Sequence, residues 1–265
     1  MGERKVRADL LLVEKGLVET REKARALIMA GVIKAKGVKV AKPGQKLLAS
    51  APITIVKSMP YVSRGGLKLA PALDAFQLEV KDKITADIGC STGGFTDCLL
   101  QRGAKKVYAV DVSINQLDAK LRFHPKVIPL EKNARYLRRQ DFAESPQLIV
   151  MDVSFISVLK ILPALKDVSP EADVVALLKP QFEAEKGRVG KKGVIREASK
   201  QIAILTRVLG QAQEIGFFVH KLFPSPVKGQ KGNQEFFVHW GQKGFPVTPQ
   251  ELAAMATEVV YGKKN

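Results

Sequence analysis

Residues 85–100 read TADIGCSTGGFTDCLL, and this stretch predicts the fold of most of the chain. The apolar residues of 84–88 are typical of a buried strand, 89–94 form a turn of small residues, and 95–100 have helical spacing. A strand that leads through a glycine-rich turn into a helix presents backbone N–H groups and a helix dipole to a polar ligand. The turn is not a dinucleotide G-x-G-x-x-G motif, because Ser91 occupies the second glycine position, and the sequence contains no G-x-x-x-x-G-K-[ST] motif.

Two acidic residues indicate which ligand this turn would bind. Asp87 ends the first strand, where a carboxylate suits a cationic or amino-bearing ligand better than a pyrophosphate. Asp111 ends the next strand, 106–112, at the position where a doubly wound fold hydrogen-bonds a ribose diol. Together they favour S-adenosylmethionine as the cofactor, and the alternative is an ordinary strand–turn–helix unit that binds nothing.

Composition narrows the class of protein. The 265 residues are 46% hydrophobic, which supports one large domain, or a medium domain with a small one. No apolar run approaches the roughly 18 residues that span a membrane, and the first ten residues lack the apolar segment of a signal peptide. Cys90 and Cys98 have the spacing of neither a zinc site nor a disulfide framework, so we expect reduced thiols, no metal and a cytoplasmic location.

The charge is strongly positive. The sequence has 43 Lys and Arg against 26 Asp and Glu, a formal charge of +17 and a pI near 9.9. This surplus predicts a polyanionic partner, with nucleic acid the first choice and an anionic membrane surface the second. A merely basic soluble protein is the remaining alternative.

Residues 1–58 form a unit of their own. They hold thirteen Lys and Arg but five Asp and Glu, and their pattern predicts helices at 9–15 and 21–30 followed by short β segments at 32–35, 38–40 and 53–56. The unit contains no Phe, Tyr or Trp, whereas proteins that read single-stranded bases usually offer aromatic rings for stacking. We therefore expect it to hold folded RNA through phosphate contacts and shape.

The rest of the chain alternates strands and helices after a linker at 59–64. This alternation predicts an α/β fold with a mostly parallel, doubly wound sheet in a domain covering 65–265. The last two strands are expected to form an antiparallel hairpin, and Thr248-Pro249-Gln250-Glu251 is a capping box that opens a terminal helix. Pro71 within a helical stretch predicts a late start or a kink. The other predicted strands lie at 126–130, 147–152, 173–178, 217–223 and 235–240, and the other predicted helices at 155–165 and 197–215.

Four polar residues near strand ends or their flanks are candidates for catalysis: Lys68, Asp152, Lys179 and Glu235. Ligands of such sheets bind outside the carboxyl ends of the strands, although each residue alone could be a surface charge. A nitrogen methyltransferase usually has an Asn/Asp-Pro-Pro-aromatic loop where 152–155 read DVSF, and a cytosine carbon methyltransferase needs a cysteine that is absent there. Oxygen methylation remains, with Lys179 as the general base, Lys68 as a second cation and the two acids orienting them.

The N-terminal segment RADLLLVEKGLVETREKARALIMAGVIKAKGVKVAKPG resembles the small RNA-binding fold first known from a ribosomal protein of the small subunit, the S-four type. The motifs YVSRGGLKL, DIGCSTGGFTDCLL, AVDVSINQL, MDVSFIS, LLKPQFE and KGNQEFF resemble the TlyA family of ribosomal RNA 2′-O-methyltransferases, historically labelled hemolysin A. Some members of that family carry a tryptophan in the linker, and its counterpart here is Tyr61.

The resemblance implies a Rossmann-like, FtsJ-like catalytic domain that uses S-adenosylmethionine and methylates cytidine ribose in ribosomal RNA. The implied Lys-Asp-Lys-Glu tetrad is Lys68, Asp152, Lys179 and Glu235. The implied cofactor site is Asp87, Gly89, Ser91, Thr92, Gly93, Asp111, Asn133 and Asp152. The implied RNA contacts are Arg7, Arg21, Arg25, Lys42, Arg64, Lys186 and Arg188, the last two in a basic loop that could instead be merely mobile.

The expected protein is therefore a cytoplasmic ribosomal RNA methyltransferase that binds a ribosomal subunit, without DNA or a stable membrane association. The sequence leaves its oligomeric state open. Two rival functions remain: a membrane-active hemolysin, for which the terminal helix offers at best a modest apolar face, and a non-catalytic RNA-binding factor that retained the fold.

Overall fold

The computed structural model describes residues 4–29, 31–55, 59–184, 193–229 and 231–262. The chain divides into two compact units, Met1–Met59 and Pro60–Asn265. No helix in the described ranges is long and apolar enough to cross a membrane.

In its described residues, the N-terminal unit is a small α+β structure with two helices that pack against each other, α1 (Ala8–Glu14) and α2 (Arg21–Met29). Strands β2, β3 and β5 form an antiparallel sheet in the order β3-β2-β5, and β1 pairs with β4. The core is built from apolar side chains of both helices and β2, such as Leu12, Ile28 and Ile33. The elements are β1 (Lys5–Arg7), α1 (Ala8–Glu14), α2 (Arg21–Met29), β2 (Ile33–Ala35), β3 (Val38–Lys39), β4 (Lys46–Leu48) and β5 (Ile53–Ile55).

A buried carboxylate, Asp9, joins the two helices of this unit. Arg7 donates to both of its oxygens at 3.0 Å, and Arg21 donates to one of them, also at 3.0 Å. The hydrogen bonds and charge of Arg7, with those of Arg21, hold the pKa of Asp9 far below its usual range even though burial opposes them. Asp9 therefore fixes where both arginines lie while leaving about half of each side chain exposed.

The C-terminal unit is built on a seven-stranded sheet in the order β11-β12-β10-β9-β6-β7-β8. Strands β6 to β10 are parallel, and β12 runs antiparallel to both of its neighbours, β10 and β11. The strands are β6 (Ile84–Ile88), β7 (Lys106–Asp111), β8 (Val127–Glu131), β9 (Leu148–Met151), β10 (Asp173–Leu178), β11 (Phe218–Pro224) and β12 (Phe236–Gly241). The helices are α3 (Gly65–Phe76), α4 (Gly94–Gln101), α5 (Ala119–Arg122), α6 (Leu162–Val168), α7 (Pro180–Glu183), α8 (Ala198–Ile215) and α9 (Pro249–Tyr261).

Apolar layers cover both faces of the sheet. On β10, Val174 and Ala176 belong to the core that includes helices α6, α8 and α9, whereas Val175 and Leu177 belong to the core that includes α3 and α4. Successive strand residues point to opposite faces, so a strand buried on both sides needs a continuous apolar run such as residues 174–178. The prediction of a doubly wound α/β sheet is confirmed, and the antiparallel hairpin of β11 and β12 is present.

The structure departs from the local predictions at three places. The predicted helix at 155–165 begins only at Leu162, after a loop and a short 3₁₀ turn, because Pro163 favours the first turn of a helix over its interior. Pro71 does not mark a late start of the helix, because α3 already extends for six residues before it. Strands β1 and β4 were not predicted, because three-residue, charge-bearing strands carry too little periodicity to recognise.

Candidate active site

The glycine-rich turn between β6 and α4 is shaped by close backbone contacts. Gly89 has a φ of +83°, and a Cβ there would lie 2.8 Å from the backbone oxygen of Asp152. A Cβ on Gly94 would collide with the hydroxyl of Ser63 and approach the Cα of Gly65 to 3.0 Å. The turn therefore needs glycine, both for its left-handed backbone and for the space that it shares with neighbouring segments.

Asp87 lies fully buried beneath this turn. Thr96 donates to its Oδ2 at 2.6 Å, while Oδ1 has no hydrogen-bond partner among the described residues. Burial raises the pKa of Asp87 to about 7, and the nearby charge of Asp152 adds to that rise. A buried carboxylate oxygen without a donor is suited to a ligand that carries a cation or an N–H group.

The carboxylate of Asp111 holds the backbone of the turn at Ser91, and Asn133 lies two residues after the end of β8. The carboxylate of Asp111 accepts from the N–H groups of Ser91 at 2.9 Å and Ser113 at 3.2 Å. The side chain of Asn133 accepts from the N–H of Arg135 at 3.1 Å and so caps a short 3₁₀ turn. Asp111 was predicted from its place at a strand end and Asn133 from the family resemblance, and both side chains already have protein partners.

The four predicted catalytic residues form two ion pairs, in which Lys179 and Glu235 are buried and Asp152 and Lys68 are partly buried. Lys179 Nζ lies 2.6 Å from Asp152 Oδ1, and Lys68 Nζ lies 2.7 Å from Glu235 Oε2. The side chain of Lys179 is 9% exposed and that of Glu235 is 3% exposed. Lys179 also donates to the hydroxyl of Ser154 at 2.9 Å.

The sheet topology explains why these residues meet. Asp152 follows β9 and Lys179 follows β10, so both lie at the carboxyl edge of the parallel strands. Glu235 precedes β12, which is antiparallel to β10, and the register pairs Leu178 with Phe236. The start of β12 is therefore at the same edge as the end of β10.

One cleft of about 580 Å³ is lined by all four residues together with part of the turn. Of the predicted cofactor residues, it is lined by Gly89, Ser91, Thr92 and Asp152. Asp87, Gly93, Asp111 and Asn133 are not among its lining residues.

Two features of the cleft were not expected from the sequence. The two acids were expected to orient the lysines, but the sequence did not indicate that Asp152 pairs with Lys179 and Glu235 with Lys68. Phe155 is 91% exposed with a φ of +64°, and its ring centroid lies 5.0 Å from that of Phe182. The motif that follows Asp152 contained Phe155 and Ser154, but a single sequence gives no sign that a ring stands out from the surface.

The predicted RNA contacts are distributed over both units. Arg7, Arg21, Arg25 and Lys42 are exposed on the N-terminal unit, and Arg64 is exposed at the rim of the cleft. Lys186 and Arg188 lie outside the described residues. Tyr61, the counterpart of the linker tryptophan, packs its ring against Gly66 of α3, where a Cβ would collide with it.

A model of the family described as FtsJ-like methyltransferase matches residues 61–242, the part of the chain that carries the turn and both ion pairs. The chain belongs to this family. It is 47% identical over 268 residues to a Bacillus subtilis protein described as "Putative rRNA methyltransferase YqxC", covering 97% of this chain and 95% of that one.

Two other relatives match most of the chain. It is 44% identical to "Hemolysin A" of Brachyspira hyodysenteriae, over 89% of this chain and 99% of that one. It is 41% identical to the "16S/23S rRNA (cytidine-2'-O)-methyltransferase TlyA" of Mycobacterium tuberculosis, over 89% of both chains. A solved Streptococcus thermophilus structure described as a "putative hemolysin" superposes with a TM-score of 0.73 at 43% identity, covering 97% of this chain and 96% of that one.

The contact of Gly89 with Asp152 allows a matched test within the FtsJ-like unit. Gly232 has the same φ of +83°, but no atom of the described residues lies within 4 Å of its Cβ position. We expect Gly232→Ala to lower the free energy of unfolding by about 1 kcal/mol, through backbone strain alone. Gly89→Ala should lower it by about 3 kcal/mol, because the clash with the Asp152 backbone adds to the same strain. Urea unfolding of both variants measures the difference, and equal losses would mean that the close contact is unimportant.

Proposed function

We propose that this FtsJ-like methyltransferase transfers a methyl group from S-adenosylmethionine to the 2′-hydroxyl of a cytidine ribose in ribosomal RNA. The observation that carries the proposal is the pair of buried lysine–carboxylate contacts in one cleft beside the glycine-rich turn. The relative from Mycobacterium tuberculosis is named for this reaction, which supports the choice of substrate. A ribosomal RNA substrate implies a cytoplasmic enzyme.

The turn fits the proposed cofactor. The unpartnered Oδ1 of Asp87 suits the α-amino group of the methionine moiety, and the carboxylate of Asp111 at the tip of β7 suits a ribose diol. Gly89, Ser91 and Thr92 leave the backbone open for a close approach. When bound, the cofactor would supply an electrophilic methyl group on a sulfonium.

Lys179 is the residue best placed to take the proton from the 2′-hydroxyl. Asp152 lies 2.6 Å and Ser154 2.9 Å from its Nζ, so the nitrogen has a fixed position. The ammonium of this ion pair first releases a proton to solvent, the neutral amine then takes the proton of the 2′-hydroxyl, and Asp152 stabilises the ammonium that forms again. The second pair, Lys68 and Glu235, lines the same cleft and is proposed to orient the ribose. Most of the catalytic effect then comes from holding the hydroxyl in line with the methyl group.

Phe155 is proposed to bind the target nucleobase. Its ring is almost fully exposed, leans on Phe182 and stands at the cleft that contains Lys179. Stacking on an aromatic ring stabilises an unpaired base by about 1–3 kcal/mol. Such a contact would hold the nucleotide out of its helix while the ribose faces the amine.

The N-terminal unit is proposed to hold folded ribosomal RNA through its arginines and Lys42. Arg7 and Arg21 are fixed by Asp9 and still half exposed, which lets them meet phosphates in a set geometry. Arg25 is exposed on the same helix as Arg21, four residues further on. Arg64 at the rim of the cleft and the basic residues Lys186 and Arg188 complete the proposed contacts.

Lys179→Ala tests the assigned base. Loss of the amine should reduce the rate of ribosomal RNA methylation by roughly 10²-fold or more, while the dissociation constants for cofactor and RNA change little. The matched control is Lys200→Ala, which also removes a lysine paired with a carboxylate, at 2.7 Å on the exposed surface of α8. Transfer of a radioactive methyl group measures the rate, and an unchanged rate in Lys179→Ala removes this residue as the base.

Because the pKa of Asp87 is raised, we expect cofactor binding to depend on pH. The carboxyl of Asp87 has a pKa raised to about 7 by burial, and a cationic amine binds only the ionised form. The affinity for S-adenosylmethionine should therefore rise as the pH increases through 7 and fall by up to about tenfold for each pH unit below it. Calorimetric titrations from pH 5.5 to 8.5 measure this.

Two variants make the pH test specific. Asp87→Asn should bind the cofactor weakly and without the pH dependence, whereas Asp82→Asn, at an exposed turn before β6, should behave as the wild type. A wild-type affinity that stays constant across this range would contradict the assignment of Asp87. A chain that binds no S-adenosylmethionine at any pH would be the non-catalytic RNA-binding factor.

Arg25→Ala tests the proposed RNA surface of α2. It should weaken RNA binding and reduce the dependence of log affinity on log salt by about one ion. Lys23→Ala removes the same charge from another face of the helix, where the lysine is paired with Glu19, and should have a smaller effect. Filter binding to ribosomal RNA at several salt concentrations compares them, and equal effects would place the RNA elsewhere.

A further inference from the structure

Glu183, the last residue of α7, is a buried carboxylate that the proposed mechanism does not use. It is 5% exposed, and both of its oxygens accept hydrogen bonds from the loop that follows β9. The hydroxyl of Ser157 donates to Oε2 at 2.5 Å, and the N–H of Val158 donates to Oε1 at 2.9 Å.

Burying the carboxylate of Glu183 costs free energy, because the group loses its contacts with water, and hydrogen bonds within the protein offset this cost. Burial raises the pKa of Glu183, and the hydrogen bonds from Ser157 and Val158, with the charge of Arg207, act against that rise. Arg207 also donates to the backbone oxygen of Glu183, which fixes the end of α7 to α8. Because both carboxyl oxygens are satisfied within the protein, Glu183 is not placed to exchange a proton with substrate.

The loop that Glu183 holds contains the residues nearest to the proposed reaction. The loop 152–158 is anchored at both ends. At its start, the N–H of Asp152 donates to the backbone oxygen of Ile88 at 3.0 Å, and at its end Ser157 and Val158 donate to Glu183. Between these anchors, Phe155 has a φ of +64°. A bulky residue in the left-handed region is strained and keeps that conformation only where its surroundings hold it.

The helix that carries Glu183 also carries the proposed base at its other end. Lys179 is the N-cap of α7, and its backbone oxygen accepts from the N–H of Phe182 at 2.8 Å and of Glu183 at 3.2 Å. One short turn of helix therefore connects the amine that meets Asp152 and Ser154 with the carboxylate that meets Ser157 and Val158.

We propose that Glu183 is a positioning residue, which locks the 152–158 loop to α7 so that Ser154 and Phe155 keep a fixed place relative to the Lys179 amine. The proposal rests on the methylation of ribosomal RNA proposed above only for its catalytic consequence. The ordering of the loop by Glu183 is a separate claim that can be measured without activity.

Glu183→Gln is the variant of choice, because it keeps the shape of the side chain but leaves an amide nitrogen that cannot accept one of the two hydrogen bonds. At saturating cofactor, kcat for RNA methylation should fall about 10- to 100-fold, the loss expected from misplaced reacting groups. KM for RNA and the dissociation constant of S-adenosylmethionine should change less than about threefold, since neither Glu183 oxygen faces a ligand. Glu214→Gln, an exposed glutamate on α8, is the control.

A double-mutant cycle separates this role from general destabilisation. Ser157→Ala removes one of the two donors and should lower kcat in the same direction, and adding it to Glu183→Gln should cost much less than the product of the single effects. If the two losses multiply, or if Glu183→Gln keeps the wild-type kcat in an enzyme that does methylate RNA, the positioning role is wrong.

Fluorescence anisotropy tests the loop itself. Phe155→Trp places a reporter on the loop, and Trp240, the chain's own tryptophan, is fully buried and supplies a constant background. Adding Glu183→Gln to this variant should lower the anisotropy of the new tryptophan, and an unchanged anisotropy would overturn the proposal. This result stands even if the wild type fails to methylate ribosomal RNA, an outcome that would defeat the proposed function instead.

Discussion

The register between β10 and β12 is the constraint on which the site depends. Because β12 runs antiparallel to β10 and pairs Phe236 with Leu178, the residue before β12 and the residue after β10 meet at one edge of the sheet. Those residues are Glu235 and Lys179. A shift of one residue would also turn the buried apolar side chains of β12 to the opposite face of the sheet. The apolar core therefore fixes the position of the charged groups.

The polar residues of the cleft show how far the sequence could predict this arrangement. Lys179 follows an apolar run and precedes a proline, so a strand end with a functional group was recognisable. Which acid pairs with which lysine was not recognisable, because partners such as Lys68 and Glu235 are 167 positions apart. Glu183 was missed for the same reason, since its donors belong to another loop. The predicted helix at 155–165 was also wrong at Phe155, because tertiary contacts there outweigh the helical spacing of the sequence.

Buried charge is used in a similar way in both units. Asp9 holds two arginines, and Asp152 and Glu235 each hold a lysine. Burying an ion pair rarely increases stability over an apolar pair of the same size, so stability alone does not account for these contacts. What they provide is a nitrogen group with a defined position, which both phosphate binding and proton transfer require. The exposed fraction of these side chains differs as their proposed roles require: Arg7 and Arg21 are about half exposed, whereas Lys179 is almost fully buried.

The distribution of aromatic rings separates the proposed roles of the two units. The N-terminal segment up to residue 58 has arginines and lysines but no aromatic residue, so it can hold phosphates without stacking on bases. The exposed ring at the cleft, Phe155, stands beside the proposed base and is held in a strained conformation. Selection of a single ribose requires that its base leave the helix, and a ring fixed next to Lys179 can accept that base only there. Affinity and choice of nucleotide are thus expected to respond to different residues.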